Sequence, residues 1–169
     1  MHEHQQSGDT AAATAGQAEA SFRERGMSHL FNKILCPIDF DRNSIAALDF
    51  ALRLAQECGG TIYVLGVIPT PDAPPATTDP FPVLSEGLTT ELETIAREHL
   101  EGKVPFQPLV RTGDPAHTIL SVATELGVDV IVMATHGYKG VQRLLLGTVA
   151  ERVVRGAEQP VITIRPRLE

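Results

Sequence analysis

Residues 129 to 149 read DVIVMATHGYKGVQRLLLGTV. Val130 to Met133 is an apolar run that suits a strand buried on both faces. It empties into a loop carrying glycines at 137, 140 and 147, and Thr148 then opens a helix. A strand, a glycine loop and a helix start, in that order, suit an anion such as phosphate. Glycine lets backbone N–H groups approach where a Cβ would block them, and the first helical turn leaves donors unpaired at the positive end of its dipole. A purely architectural reading of the same residues also stands. Gly137 and Gly140 would shape a turn, and Thr148 with Glu151 three residues on would make a capping box. Spacing alone leaves the two level. Lys139 and Arg143 in a loop that also holds Leu144, Leu145 and Leu146 tilt the balance toward the anion, with leucines anchoring the loop while cations face out.

The spacing resembles the universal stress protein family, whose nucleotide-binding members carry G-x2-G-x9-G-[ST] after the fourth strand. Gly137 stands as the second glycine, nine residues follow, and Gly147-Thr148 close the motif. Ala134 replaces the first glycine and adds a methyl where, by the resemblance, backbone approaches the nucleotide. The likeness extends from about Leu30 to Pro166. It implies a tail over residues 1 to 28 and one universal stress protein domain over 29 to 169. It further implies a single doubly wound, Rossmann-like α/β domain: a five-stranded parallel sheet of order 3-2-1-4-5 with helices on both faces.

Outward from the motif, Asn32 to Ile38 reads as the first strand, with Pro37 removing a donor as the strand finishes. Asp39 then stands at its carboxyl end, where open α/β sheets bind ligands. Asp39 either contacts a ligand or helps turn the chain into the next helix, as Asp41, Asn43 and Ser44 also would. Ser44 to Cys58 places Ile45, Leu48, Leu52 and Ala55 on one helical stripe, stopped by Gly59-Gly60. Thr61 to Ile68 is a second strand. Proline density predicts a long loop over 69 to 82. Leu88, Leu92, Ile95 and His99 mark the second helix, with His99 a lone histidine without a paired acid. Pro105 to Val110 suits a short edge strand. Asp114 as N-cap and Pro115 at the first helical position account for the start of the third helix, which Ile119 to Leu126 completes. Val128 to Thr135, Val149 to Gly156 and Pro160 to Ile164 supply the fourth strand, fourth helix and fifth strand.

The resemblance carries nucleotide contacts onto named positions. The first-strand ending contributes Pro37, Ile38 and Asp39, and Val67 takes an adenine-pocket position for which a core role is equally open. Gly113, in a G-x-P element, lies on the ribose side. Met133, Ala134, His136, Gly137, Gly140 and Arg143 come from the fourth strand and its loop, and Gly147, Thr148 and Val149 from the helix start. The implied ligand is ATP, or AMP or ADP, with Mg²⁺ carried by the phosphates. The residues supply binding rather than chemistry. Lys139, Arg143 and His136 are the nearby candidates for assisting hydrolysis, and no acid is placed to orient His136, so any ATPase activity would be weak.

The 169 residues suffice for one domain with a core, and the formal charge of −7 argues against nucleic acid or an anionic membrane as partner. No apolar run approaches the ~20 residues of a membrane span, and the first thirty residues lack a signal peptide's apolar core, which together suggest a cytoplasmic protein. Residues 1 to 28 are too polar to offset the entropy of ordering, with Met27 a second candidate first residue. Cys36 and Cys58 lack CxxC spacing and are expected to be buried thiols, while His2 and His4 have no third metal ligand. No GxxxxGK[ST] string marks a phosphoryl-transfer enzyme. A nucleotide-free dimer acting through partners and an AMP or cyclic-nucleotide sensor remain alternatives. The apolar last strand at a sheet edge, paired with a second subunit in the family, predicts a homodimer through residues 161 to 165.

Overall fold

Five strands and four helices alternate along the described residues of a computed structural model, which are 30–70, 82–135 and 147–165, with backbone alone described for 82–85. The elements are β1 (Lys33–Ile38), α1 (Arg42–Cys58), β2 (Thr61–Pro69), α2 (Pro82–Leu100), β3 (Phe106–Gly113), α3 (Pro115–Leu126), β4 (Val130–Ala134), α4 (Thr148–Gly156) and β5 (Val161–Ile164). The strands form one parallel sheet in the order β3-β2-β1-β4-β5, as expected. The tail over 1 to 28, residues 71 to 81 of the proline-rich loop, and His136, Gly137, Lys139, Gly140 and Arg143 lie outside the described residues.

Strand alternation divides the core in two. Ile34, Cys36 and Ile38 of β1 join Ile62, Val64, Val130 and Val132 in a cluster against α1 and α2. Leu35 of β1 joins Leu65, Ile131 and Met133 on the opposite face, against α3 and α4. β1 and β4, covered on both sides, are therefore continuous apolar runs. Leu35 is fully buried, so truncation to alanine should cost about 2–5 kcal/mol. Cys36 and Cys58 are buried free thiols. Burial, reinforced by the negative charge of Asp49, raises the Cys36 pKa far above the usual thiol range.

Several boundaries differ from expectation for local reasons. α1 begins at Arg42 because Asp41 is its N-cap, accepting the Ser44 N–H at 2.7 Å. Its buried face carries Ser44, Ala47, Leu48, Ala51, Ala55 and Cys58, while Ile45 and Leu52 are only half-buried. Alanines let the helix axis come close to the sheet, and the larger side chains flank the contact. Pro82, expected to close a loop, instead opens α2, where its fixed φ suits a first turn and its missing N–H has little consequence. β3 continues to Gly113, in register with β2 as far as Pro69, and forms the sheet edge.

Pro37 has a consequence for the centre of the sheet. The Lys33 carbonyl accepts the Asp129 N–H at 2.9 Å, so in a parallel strand Leu35 and Pro37 also point their backbone groups toward β4. Proline has no N–H for that ladder. β1 stays in register with β2 through Ile38, whereas its register with β4 comprises Ile34 and Leu35. The carboxyl ends of β1 and β4 are thus left without a continuous ladder at the point where chain direction across the sheet reverses.

Candidate functional site

The open ends of β1 and β4 are bordered on one side by Asp39 and on the other by the start of α4. Asp39 follows β1 directly. Its N–H donates to Ser44 Oγ at 3.3 Å, and its Oδ1 accepts the Asp41 N–H at 3.4 Å. Phe40 turns the chain at a φ of 66° and packs its ring into the α1/α2 core. Asp41 takes the capping work, with Oδ1 on the Ser44 N–H and Oδ2 accepting from the Asn43 side-chain amide at 3.2 Å. Asp39 is therefore not the helix cap. The long hydrogen bond from Asp41 and the nearby Ser44 hydroxyl leave its carboxylate acceptor capacity for a ligand donor. Asp39 is exposed as a residue, yet its carboxyl is partly shielded from water beside Asp41 and Ser44. Lost hydration is the largest influence and raises its pKa. The Ser44 hydroxyl opposes this, and the charge of Asp41 adds to it.

Across the crevice, the Thr135 N–H donates to the Ile164 carbonyl at 3.0 Å, and the Thr135 carbonyl accepts the Gly147 N–H at 2.6 Å. The chain that leaves β4 for residues 136 to 146 thus returns to its point of departure. Gly147 is the N-cap of α4, with φ −66° and ψ 154°, and among the described residues no side-chain hydrogen bond caps the helix. The expected capping box of Thr148 and Glu151 does not form. That motif needs its threonine at the N-cap and its glutamate three residues later. With Gly147 as N-cap, Glu151 stands one residue too far along and pairs with Arg155 at 2.7 Å. Two consequences follow for anion binding. The Gly147 N–H is already used, so the first-turn donors at Thr148 and Val149 carry that role. Gly147 also has a backbone conformation that any residue adopts, so its φ does not require glycine.

The sugar-side candidates lie along β2 and β3. Val67 is half-buried and packs with the α3/α4 cluster. Gly113 has a φ of 143°, and a Cβ there would stand 2.8 Å from Thr118 Oγ1, so its lack of a side chain has a local cause besides any ligand. Its carbonyl accepts the Thr70 N–H at 3.2 Å. Asp114 caps α3 through the His117 N–H at 2.9 Å, with Pro115 in the first turn as expected.

Alternation separates the predicted residues by face. Val67 and Met133 belong to the α3/α4 side, which carries the α4 start. Ile38 and Ala134 belong to the α1/α2 side and offer a ligand on the other face only backbone. The methyl of Ala134, where the motif has its first glycine, is absorbed by the α1/α2 core.

Two contacts escaped the sequence reading because their partners are remote in the chain. His99, expected to lack a paired acid, meets Asp49 Oδ1 through Nδ1 at 2.9 Å and joins α2 to α1. It lies where α2 hands over to β3, toward the amino-terminal end of the strands and away from the crevice at their carboxyl ends. Arg152 of α4 donates to both oxygens of Asp114, at 2.8 and 2.9 Å. Among the described residues no group of three or more His, Cys, Asp or Glu is placed to hold a metal, and no helix is long and apolar enough to cross a membrane.

Residues 30–165 match the sequence profile of the universal stress protein family. The chain belongs to that family. A universal stress protein of Methanocaldococcus jannaschii is 32% identical over 149 residues, covering 83% of this chain and 86% of the relative. One from Bacillus subtilis is also 32% identical over 149 residues, covering 80% and 100%. Among solved structures, a hypothetical protein whose biochemical function was assigned from its structure superposes with a TM-score of 0.69 at 26% identity, covering 83% of this chain and 99% of that one. Two further family members share the fold at lower identity. One is described in complex with cAMP (TM-score 0.59, 18% identity, 79% and 96% covered). The other, from Archaeoglobus fulgidus, is described in complex with dAMP (TM-score 0.56, 23% identity, 80% and 99% covered).

Proposed function

We propose that this universal stress protein binds an adenine nucleotide, ATP or a related species, and acts as a stress-response regulator through its bound state. The observation that carries the reading is the crevice at the carboxyl ends of β1 and β4. The Pro37 break in the ladder and Asp39, both at the end of β1, meet there the glycine-capped N-terminus of α4, more than a hundred residues further along the chain. Asp39 would accept from a sugar hydroxyl or the adenine amino group. Val67 and Met133 would offer apolar surface, Gly113 would stand on the ribose side, and Thr148 and Val149 would donate backbone N–H to phosphate. Gly137, Gly140, His136 and Arg143, in the connecting loop, would complete the phosphate end. Mg²⁺, where present, would travel with the triphosphate.

The cAMP and dAMP complexes of proteins with this fold favour a second reading, a sensor of mononucleotides with the same pocket. Denaturing the freshly purified protein and identifying released nucleotide by mass spectrometry, followed by titration with ATP, AMP and cAMP, separates the two. Absence of released nucleotide together with no response to millimolar additions would defeat both. We further propose that residues 29 to 169 form the functional domain, that the protein is cytoplasmic, and that it pairs as a homodimer through β5. That strand is partly buried and forms the sheet edge. A free edge of this kind invites pairing with a second copy.

A further inference from the structure

α4 is short, burying Ala150 and Val153, yet it must present its N-terminus at a defined place. Besides that burial, three contacts among the described residues hold it. The Gly147 N–H is tied to Thr135. Near the other end, Gly156 packs so closely on α3 that a Cβ would stand 2.8 Å from Leu120 Cδ1. Between them, Arg152 grips Asp114 with both guanidinium nitrogens. Asp114 is itself tied in place at the start of α3, which it caps through the His117 N–H, and it follows Gly113, whose carbonyl accepts the Thr70 N–H. Both partners of the ion pair are substantially exposed, 53% for Arg152 and 42% for Asp114, and exposed pairs contribute little to stability. A guanidinium fork on a carboxylate nevertheless fixes mutual orientation, which a lysine would not do.

We infer that Arg152 is a positioning residue: by clamping Asp114 it sets the spacing between Gly113 on the sugar side and the α4 N-terminus on the phosphate side. It therefore governs affinity for ligands that span both. The inference rests on the adenine-nucleotide reading above. Arg152 itself stands beyond the first turn of α4 with its guanidinium engaged, so its effect passes through Asp114 and not through contact with phosphate.

The test is calorimetric titration of the full chain with ATP and with adenosine, in the wild type, Arg152→Leu, Arg152→Lys, Asp114→Asn and the double variant Arg152→Leu/Asp114→Asn. Asparagine keeps a capping oxygen for α3, so the Asp114→Asn background remains folded. Arg152→Leu is expected to raise the Kd for ATP by roughly three- to thirtyfold while that for adenosine stays within about twofold, as suits coupling between neighbouring groups. Arg152→Lys should recover only part of the loss, and Arg152→Leu should add nothing once Asp114 is Asn. An unchanged ATP Kd in Arg152→Leu overturns the inference, as does an equal loss for adenosine. A full Arg152→Leu penalty persisting in the Asp114→Asn background also overturns it, because Arg152 would then act without Asp114. A wild type that binds neither ligand defeats the nucleotide reading itself, and this inference with it.

Discussion

Replacing Gly147 with valine separates the two roles that a glycine at a helix start can play. Its φ of −66° and ψ of 154° are open to valine, so no backbone strain accompanies the change. Valine is a poorer N-cap than glycine by up to about 1 kcal/mol, whereas loss of glycine's freedom in the unfolded chain returns about 0.4–1 kcal/mol. The two nearly cancel, and the ligand-free melting temperature should move by no more than about 3 °C. The ligand response is another matter. A ligand at a hundredfold excess over its Kd stabilises the native state by about 2.7 kcal/mol, which for a domain of this size is a rise of about 5–11 °C. Thermal denaturation with ATP and Mg²⁺ should show that rise in the wild type. In Gly147→Val it should vanish, because a branched side chain would stand where backbone meets phosphate, while circular dichroism stays native. Adenosine, which lacks phosphates, should lose much less. An ATP-induced rise of equal size in both proteins would refute the phosphate role of the α4 start.

Asp39→Asn should weaken ATP and adenosine alike while making the unliganded protein more stable at pH 7. Its folded pKa is raised above 3.8, so the ionised carboxylate opposes folding at pH above the folded value, and the opposition fades as pH falls toward 3.8. Urea denaturation at pH 7 and at pH 4 checks this, and a stability difference that grows at pH 4 would contradict the sign. Pro37→Ala supplies the N–H missing toward β4, so the amide at 37 should become protected from hydrogen exchange and ATP affinity should fall as the crevice narrows. Rapid exchange at that amide would show that the proline is not what ends the ladder. Val161→Pro, which removes a donor from the β5 edge, should convert a dimer to a monomer in light scattering at micromolar concentration. A wild type of monomer mass, or a variant of unchanged mass, argues against pairing through β5.

Much of this architecture was legible in the chain itself. The apolar, β-branched run Val130 to Met133 suits a strand covered on both faces, and Asp114-Pro115 announces a helix through local geometry. The spacing of Gly137, Gly147 and Thr148 carries the family resemblance, which in turn implies the strand order. The strands and the helix starts are short-range facts, because periodicity, capping chemistry and backbone restriction act within a few residues; the strand order is long-range and came from the resemblance alone. The structure decided what depends on register and on partners far away. Whether Thr148 or Gly147 caps α4 turns on a one-residue register, and it determines which N–H groups remain for an anion. Pro37 reads locally as the end of a strand, and only its position between β2 and β4 makes it a break in the central ladder. Ala134 departs from the motif in sequence, but the alternation of β4 turns its methyl into the α1/α2 core. The pairs Arg152–Asp114 and His99–Asp49 join residues 38 and 50 positions apart. No local pattern encodes them, because the distance between such side chains is set only when helices from separate crossovers pack side by side.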